Sequence, residues 1–138
     1  EVFDPKYVWG NSVQVSEIVT STNQVDALKD YAGESNTDKI IAQLGTGNAP
    51  AAEYCRNYTF KNGKKGYLWS AGEAIDANAN QDAINKALIK IGVDYMTGDY
   101  WTSTQANATL SWKCGIDNSE FMGNNKYNQI QVVAVCSL

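Results

Sequence analysis

An α+β domain, with short helices packed on a mainly antiparallel sheet, is the fold class that this sequence predicts, and two observations carry the prediction. The apolar pattern has helical spacing before Gly92 and alternates after it. Helix caps and glycine stops punctuate the middle of the chain, whereas asparagine-rich turns cut the last third into short strands. At 138 residues the chain is long enough for one real core and short for two, so residues 1–138 are read as a single domain.

Taken in order, Val13 to Thr20 is rich in β-branched residues with partial alternation that slips around Glu17 and Ile18, which predicts one strand with room for a bulge. Asn36 or Thr37 caps a short helix over 38–44, and Gly45 stops it. Pro50 suits the first position of a helix over 50–58, to which Tyr54, Cys55 and Tyr58 give an apolar side. Lys61 to Gly66 turns the chain; its three lysines fit a solvated hairpin tip better than an anion site. Ser70-Ala71-Gly72-Glu73 has capping-box spacing. Asn80 precedes Ile84, Ala87, Leu88 and Ile91 at i, i+3, i+4 and i+7, a helix over 80–91 that Gly92 ends.

Beyond Gly92, Tyr100-Trp101-Thr102-Ser103-Thr104 reads as a strand. Leu110, Trp112, Cys114 and Ile116 then share one face of another, with Thr109, Ser111 and Lys113 on the opposite face. Trp101 and Trp112 are expected in the core, while Trp9 and Trp69 are less constrained and expected to be partly exposed. Asp117-Asn118-Ser119 and Gly123-Asn124-Asn125-Lys126 are turn sequences. Ile130 to Cys136 is apolar on both faces and reads as a central strand.

A net charge of −4 opposes a phosphate-binding surface, so no nucleic-acid partner is expected. No apolar run reaches the ~20 residues of a membrane helix, so no direct insertion by this segment is expected. The absence of histidine removes imidazole triads and the usual zinc patterns, and no phosphate or calcium loop pattern occurs; no cofactor or metal is expected. Asp94 and Asp99 could serve as a glycosidase pair, but aspartates beside Gly98 fit turns better, and a non-enzyme is the expectation. The chain starts at Glu1, as a processed or excised segment does, and is expected to be a fragment of a longer exported protein.

The segments Asn36 to Gly45, Ala51 to Tyr58, Leu68-Trp69-Ser70-Ala71-Gly72-Glu73 and Tyr100 to Thr104 occur in an order that resembles the Fibrobacter succinogenes major domain family and the Legionella collagen-like protein C-terminal domain family, over residues 36–138. Leu68-Trp69-Ser70 departs from the Leu-Pro-Ser usual there, and Ser111-Trp112 from an alanine-tryptophan pair. The resemblance implies a C-type lectin-like fold: two helices, short antiparallel strands and a long loop region, in exported bacterial surface proteins linked to adhesion. The Glu-Pro-Asn and Trp-Asn-Asp motifs of calcium-dependent lectins are missing, so any binding would be calcium-independent. The resemblance also implies a helix-to-final-strand disulfide between Cys55 and Cys136, with Cys114 left over; two buried free thiols are the alternative.

The candidate ligand surface is the outward strand face with its adjoining turns: Gln105, Asn107, Thr109, Ser111, Lys113, Asp117, Asn118, Asn124, Asn125, Tyr127 and Asn128. Neutral hydrogen-bonding side chains of this kind make adaptable binding surfaces, although Asn and Gly also simply make turns. The expected function is non-catalytic binding of a glycan or a host or bacterial surface protein by an extracellular, surface or fimbria-associated adhesin. The rival is a structural module of a larger surface assembly.

Overall fold

A computed structural model describes residues 5–90, 96–116, 118 and 120–137. Its elements run β1 (Lys6–Tyr7), α1 (Gln24–Ala27), α2 (Gly33–Leu44), α3 (Pro50–Asn57), β2 (Tyr67–Leu68), α4 (Ala71–Ala79), α5 (Gln81–Lys90), β3 (Asp99–Gln105), β4 (Leu110–Gly115), β5 (Phe121–Asn125), β6 (Ile130–Gln131) and β7 (Ala134–Val135). A five-stranded sheet has the order β1-β6-β3-β4-β5, and β2 pairs with β7 in a separate two-stranded sheet. Every pairing is antiparallel except β3 with β6, where Tyr100 lies beside Gln131. The class is therefore mixed α+β with a mainly antiparallel sheet, as the period change predicts.

The caps explain where the helices start. Pro50 begins α3, where its missing amide costs nothing. Ser70 and Glu73 form the expected capping box on α4, with the Ser70 amide donating to the Glu73 carboxylate at 2.7 Å. The helix expected over 38–44 starts five residues earlier, at Gly33. Asn36 and Thr37 are buried inside it instead of capping it: Asn36 donates to Asp30 at 2.8 Å, and the Thr37 hydroxyl donates to the Gly33 carbonyl one turn back at 2.8 Å. Gly33 is required at that start because a Cβ there would meet the Glu73 carboxylate and the Ser70 amide. The helix over 80–91 is present as α5, with Asn80 just before it; its expected end at Ile91 and Gly92 lies outside the described residues.

The strand expected over Val13 to Thr20 is not one. Glu17 takes a positive φ of 64°, which breaks the extended run, and only Thr20 forms an isolated bridge, to Gln105. Val15 and Ile18 still reach the core from this loop. The apolar run near the C-terminus also divides: β6 lies between β1 and β3, while β7 leaves for β2. Gly123 to Asn125, read as a turn, belongs to β5.

The main core joins Trp9, Val15, Ile40, Ala51, Ala52, Cys55, Leu68, Trp69, Tyr100, Trp101, Cys114 and Val132. A smaller cluster of Ala27, Ala106 and Trp112 continues it through Phe121, whose ring stacks on Trp112 at 4.7 Å. Trp101 and Trp112 are in the core as expected, but Trp9 and Trp69 are equally buried. The reason is polar: Trp9 donates its indole N–H to the Thr102 carbonyl at 2.8 Å and Trp69 to the Trp101 carbonyl at 3.0 Å. Trp101 donates likewise to Tyr7, and Trp112 to Ser21.

Candidate functional site

The polar strand face that the alternation predicts is not outward. Thr102, Ser103, Thr104, Gln105 and Ser111 are fully buried, because α4 packs against β3 and β4 while the N-terminal loop covers the far end of β3. Gln105 is a crosslink: its carboxamide accepts from the Val15 amide at 3.1 Å and donates to the Val15 carbonyl at 2.6 Å and the Thr20 hydroxyl at 2.8 Å. Ser111 donates to the Thr104 carbonyl at 2.8 Å, spanning an irregular stretch where β3 and β4 change register. Lys113 is largely covered and paired with Asp99 at 2.6 Å. Gln105, Ser111 and Lys113 therefore leave the candidate surface.

The asparagines are exposed or half-exposed, but most close turns. The Asn107 side-chain oxygen Oδ1 accepts from the Thr109 amide, the Thr109 hydroxyl and the Leu110 amide within 3.0 Å, which makes the β3–β4 hairpin turn. Asn118 accepts from the Glu120 amide and Asn125 from the Tyr127 amide. Asn128 donates to Asn124. Thr109 and Tyr127 are exposed, and Asp117 lies outside the described residues.

The disulfide implied by the resemblance is not formed: none of Cys55, Cys114 and Cys136 is bridged to another cysteine. Cys55 points from the core side of α3 and donates to the Val133 carbonyl at 3.4 Å. Burial, with Asp99 adding, pushes the Cys114 thiol up to about 11, so it is an inert core group.

Lys126, read as a turn residue, is fully buried. Its ammonium donates to the Val13 carbonyl and the Gln105 carboxamide, each at 3.0 Å, and lies 4.2 Å from the Trp9 ring centre. Burial lowers its pKa to about 8. It ties the N-terminal loop, β3 and the β5–β6 turn together.

A concave surface lies elsewhere, on α3. This helix buries its small residues, Ala51, Ala52 and Cys55, half-buries Tyr54 against the same core, and brings Pro50, Glu53, Tyr54 and Asn57 to the groove, with Tyr58 at its C-cap. Those five positions follow i, i+3, i+4, i+7 and i+8, so they share one side of the helix. With Tyr7 of β1 and Gly47 they line a shallow, open groove of about 530 Å³. The Tyr7 and Tyr54 rings pack at 5.2 Å with planes 32° apart, and Tyr58 meets Phe60 edge-on at 4.9 Å. Glu53 accepts from the Gly47 amide at 2.7 Å, which holds its carboxylate in place.

Another hollow, of about 580 Å³, lies between Tyr31 and Tyr67, with Glu34, Asp38 and Glu73. Its acids are already engaged: Asp38 pairs with Arg56 at 2.6 Å, Glu34 with Arg56 at 3.5 Å, and Glu73 caps α4. Among the described residues, no group of three or more Cys, Asp or Glu side chains is placed to hold a metal ion, and no helix is long and apolar enough to cross a membrane.

Sequence reasoning missed the groove because it gave the apolar side of Tyr54, Cys55 and Tyr58 no exposed part; Tyr54 does pack against the core with Cys55, but Tyr58 is exposed. The available signal was the size split around the helix, with small residues at 51, 52 and 55 and large ones at 54 and 58. Comparison with known protein families, with curated proteins and with solved structures gives no match to this chain.

Proposed function

We propose that this chain is a non-catalytic ligand-binding domain of an exported bacterial surface or fimbria-associated adhesin, built on a C-type lectin-like fold. The paired helices α2 and α3, packed with short, mainly antiparallel strands, support that fold. The observation that carries the binding reading is the aromatic wall of the α3 groove, in which Tyr54 is half-buried and Tyr58 exposed. Tyr58 is 45 % exposed and Asn57 is exposed, while the same helix has small residues enough to fill its core contact. Concave surfaces that combine aromatic rings with a few fixed polar groups are the usual form of a binding site.

A glycan array and a surface-protein pull-down test this with three proteins: the intact domain, a groove variant (Asn57→Ala with Tyr58→Ala) and a turn variant (Thr109→Ala with Tyr127→Ala). Ligands of the intact domain are expected to be lost by the groove variant and kept by the turn variant. Equal binding by a folded groove variant would overturn the assignment.

A second reading, a structural module of a larger surface assembly, is favoured by β5, which among the described residues has a hydrogen-bonded neighbour strand on one side only. A stoichiometric complex protected along β5, with the groove still open, would support it.

A further inference from the structure

Three properties of the α3 groove narrow its ligand. The first is the shape of its aromatic wall. Polyproline ligands insert their rings into slots between upright aromatic side chains. Here Tyr7 and Tyr54 are packed ring against ring at 5.2 Å, and Tyr58 is backed by Phe60 at 4.9 Å, so no slot opens between either pair. A cage for an organic cation surrounds its guest with rings; this groove is shallow and open, and its Tyr7 and Tyr54 planes are only 32° apart. What remains is a wall that offers aromatic faces to one side of a flat, weakly apolar ring.

The second property is the polar edge. Glu53 and Asn57 stand one helical turn apart at i and i+4, so a carboxylate and a carboxamide sit side by side. Glu53 spends one oxygen on the Gly47 amide at 2.7 Å, which fixes the carboxylate and leaves its second oxygen for a ligand. The exposed Asn57 side chain makes no hydrogen bond to the described residues and offers both a donor and an acceptor. Such a pair matches neighbouring hydroxyl groups, which donate to the carboxylate and exchange hydrogen bonds with the amide.

The third is charge. Among the described residues Glu53 is the one charged member of the lining, and the whole chain carries −4, so an anionic ligand meets repulsion there.

We infer that the groove takes a neutral hexopyranose unit of a glycan, with its apolar C–H face against the tyrosine wall and its equatorial hydroxyls at Glu53 and Asn57. The inference rests on the reading of the groove as a binding site and adds the ligand class. It involves no loop of the C-terminal third and no calcium.

The test is an NMR titration of the ¹⁵N-labelled chain with methyl β-D-glucopyranoside, lactose, 3′-sialyllactose, decaproline and tetramethylammonium chloride, each to about 50 mM, the range in which weak single-sugar contacts saturate. The neutral sugars are expected to shift the amide signals of Tyr7 and of residues 47–58, and lactose to bind more tightly than its sialylated form. Tyr58→Ala and, separately, Asn57→Ala should each weaken binding by about fivefold to tenfold, one stacked ring or one hydrogen-bonding side chain being involved. Both side chains are exposed, and an unchanged spectrum outside the groove establishes that each variant is folded. The inference is overturned if neither neutral sugar moves the groove signals, or if folded variants bind them equally well. Movement by decaproline or tetramethylammonium alone refutes the sugar class but keeps the binding site. If no probe moves the groove and array ligands shift other residues, both readings fall.

Discussion

The asparagine-rich C-terminal end and the tyrosine side of α3 are opposites in what they offer and in what they have free. At the C-terminal end, groups that look available are already used: Asn107 accepts three hydrogen bonds, Gln105 serves Val15, Thr20 and Lys126, and Lys113 is held by Asp99. On α3, Ala51, Ala52 and Cys55 fill the core contact, Tyr54 is only half-buried against that core, and Tyr58 at the C-cap is exposed. Polarity alone is therefore a poor guide to a site. What matters is whether a side chain's hydrogen-bonding capacity or apolar surface is already satisfied by its own chain.

The largest expected effect that would break this contrast is at Gln105. Replacement by Ala removes the buried partner of the Val15 amide and carbonyl and one of the two hydrogen bonds of the Lys126 ammonium, and should cost about 3–5 kcal/mol. Urea unfolding measures it. A cost below about 1 kcal/mol would mean that Gln105 is a spare surface group after all.

Lys126 gives the next effect, through pH. Its pKa is about 8 in the fold against an ordinary 10.5, so its contribution to stability is present above pH 10.5 and is lost as pH falls toward 8. Cys114 runs the other way: raised from 9.0 to about 11, it contributes below pH 9 and loses that contribution as pH rises toward 11. The two oppose each other between about pH 9 and 10.5, so the intact protein's curve alone is not diagnostic. Unfolding of the wild type and Lys126→Met, compared at each pH, isolates the lysine. The wild type should gain on the variant by up to ~3 kcal/mol between pH 8 and 10.5. A pH-independent difference would show that the ammonium is not desolvated.

Smaller effects separate turn formers from free groups. Asn107→Ala should cost about 1–2 kcal/mol by opening the β3–β4 hairpin turn, with accelerated amide exchange at Leu110. Asn57→Ala and Tyr127→Ala, both exposed, should stay within ~0.5 kcal/mol of wild type in thermal unfolding. The contrast sharpens if, of these two, only Asn57→Ala changes binding.

Much of the local structure was legible because its causes are local. Pro50 at the first turn of α3, the Ser70 and Glu73 capping box and the alternation of β4 each rest on residues within a few positions. The site was less legible because its causes are distant. Ser111 is on the face that alternation gives it, but alternation cannot say whether the rest of the chain covers that face. Lys126 looked like a turn residue because its partners, Val13 and Gln105, are 113 and 21 positions away. Glu17 ended an expected strand through a backbone angle that β-branched neighbours did not reveal.

The four indoles carry one more consequence. Trp9, Trp69, Trp101 and Trp112 are all buried, and each donates to a main-chain carbonyl between 32 and 94 positions away. Their emission should be blue-shifted in the native protein and should move red in a single step as these closures open together. The groove on α3 contains tyrosines and no tryptophan. Unfolding and ligand binding are thus written in different chromophores: indole emission follows the closing of the chain, and phenol absorbance and ring signals follow the occupancy of the groove.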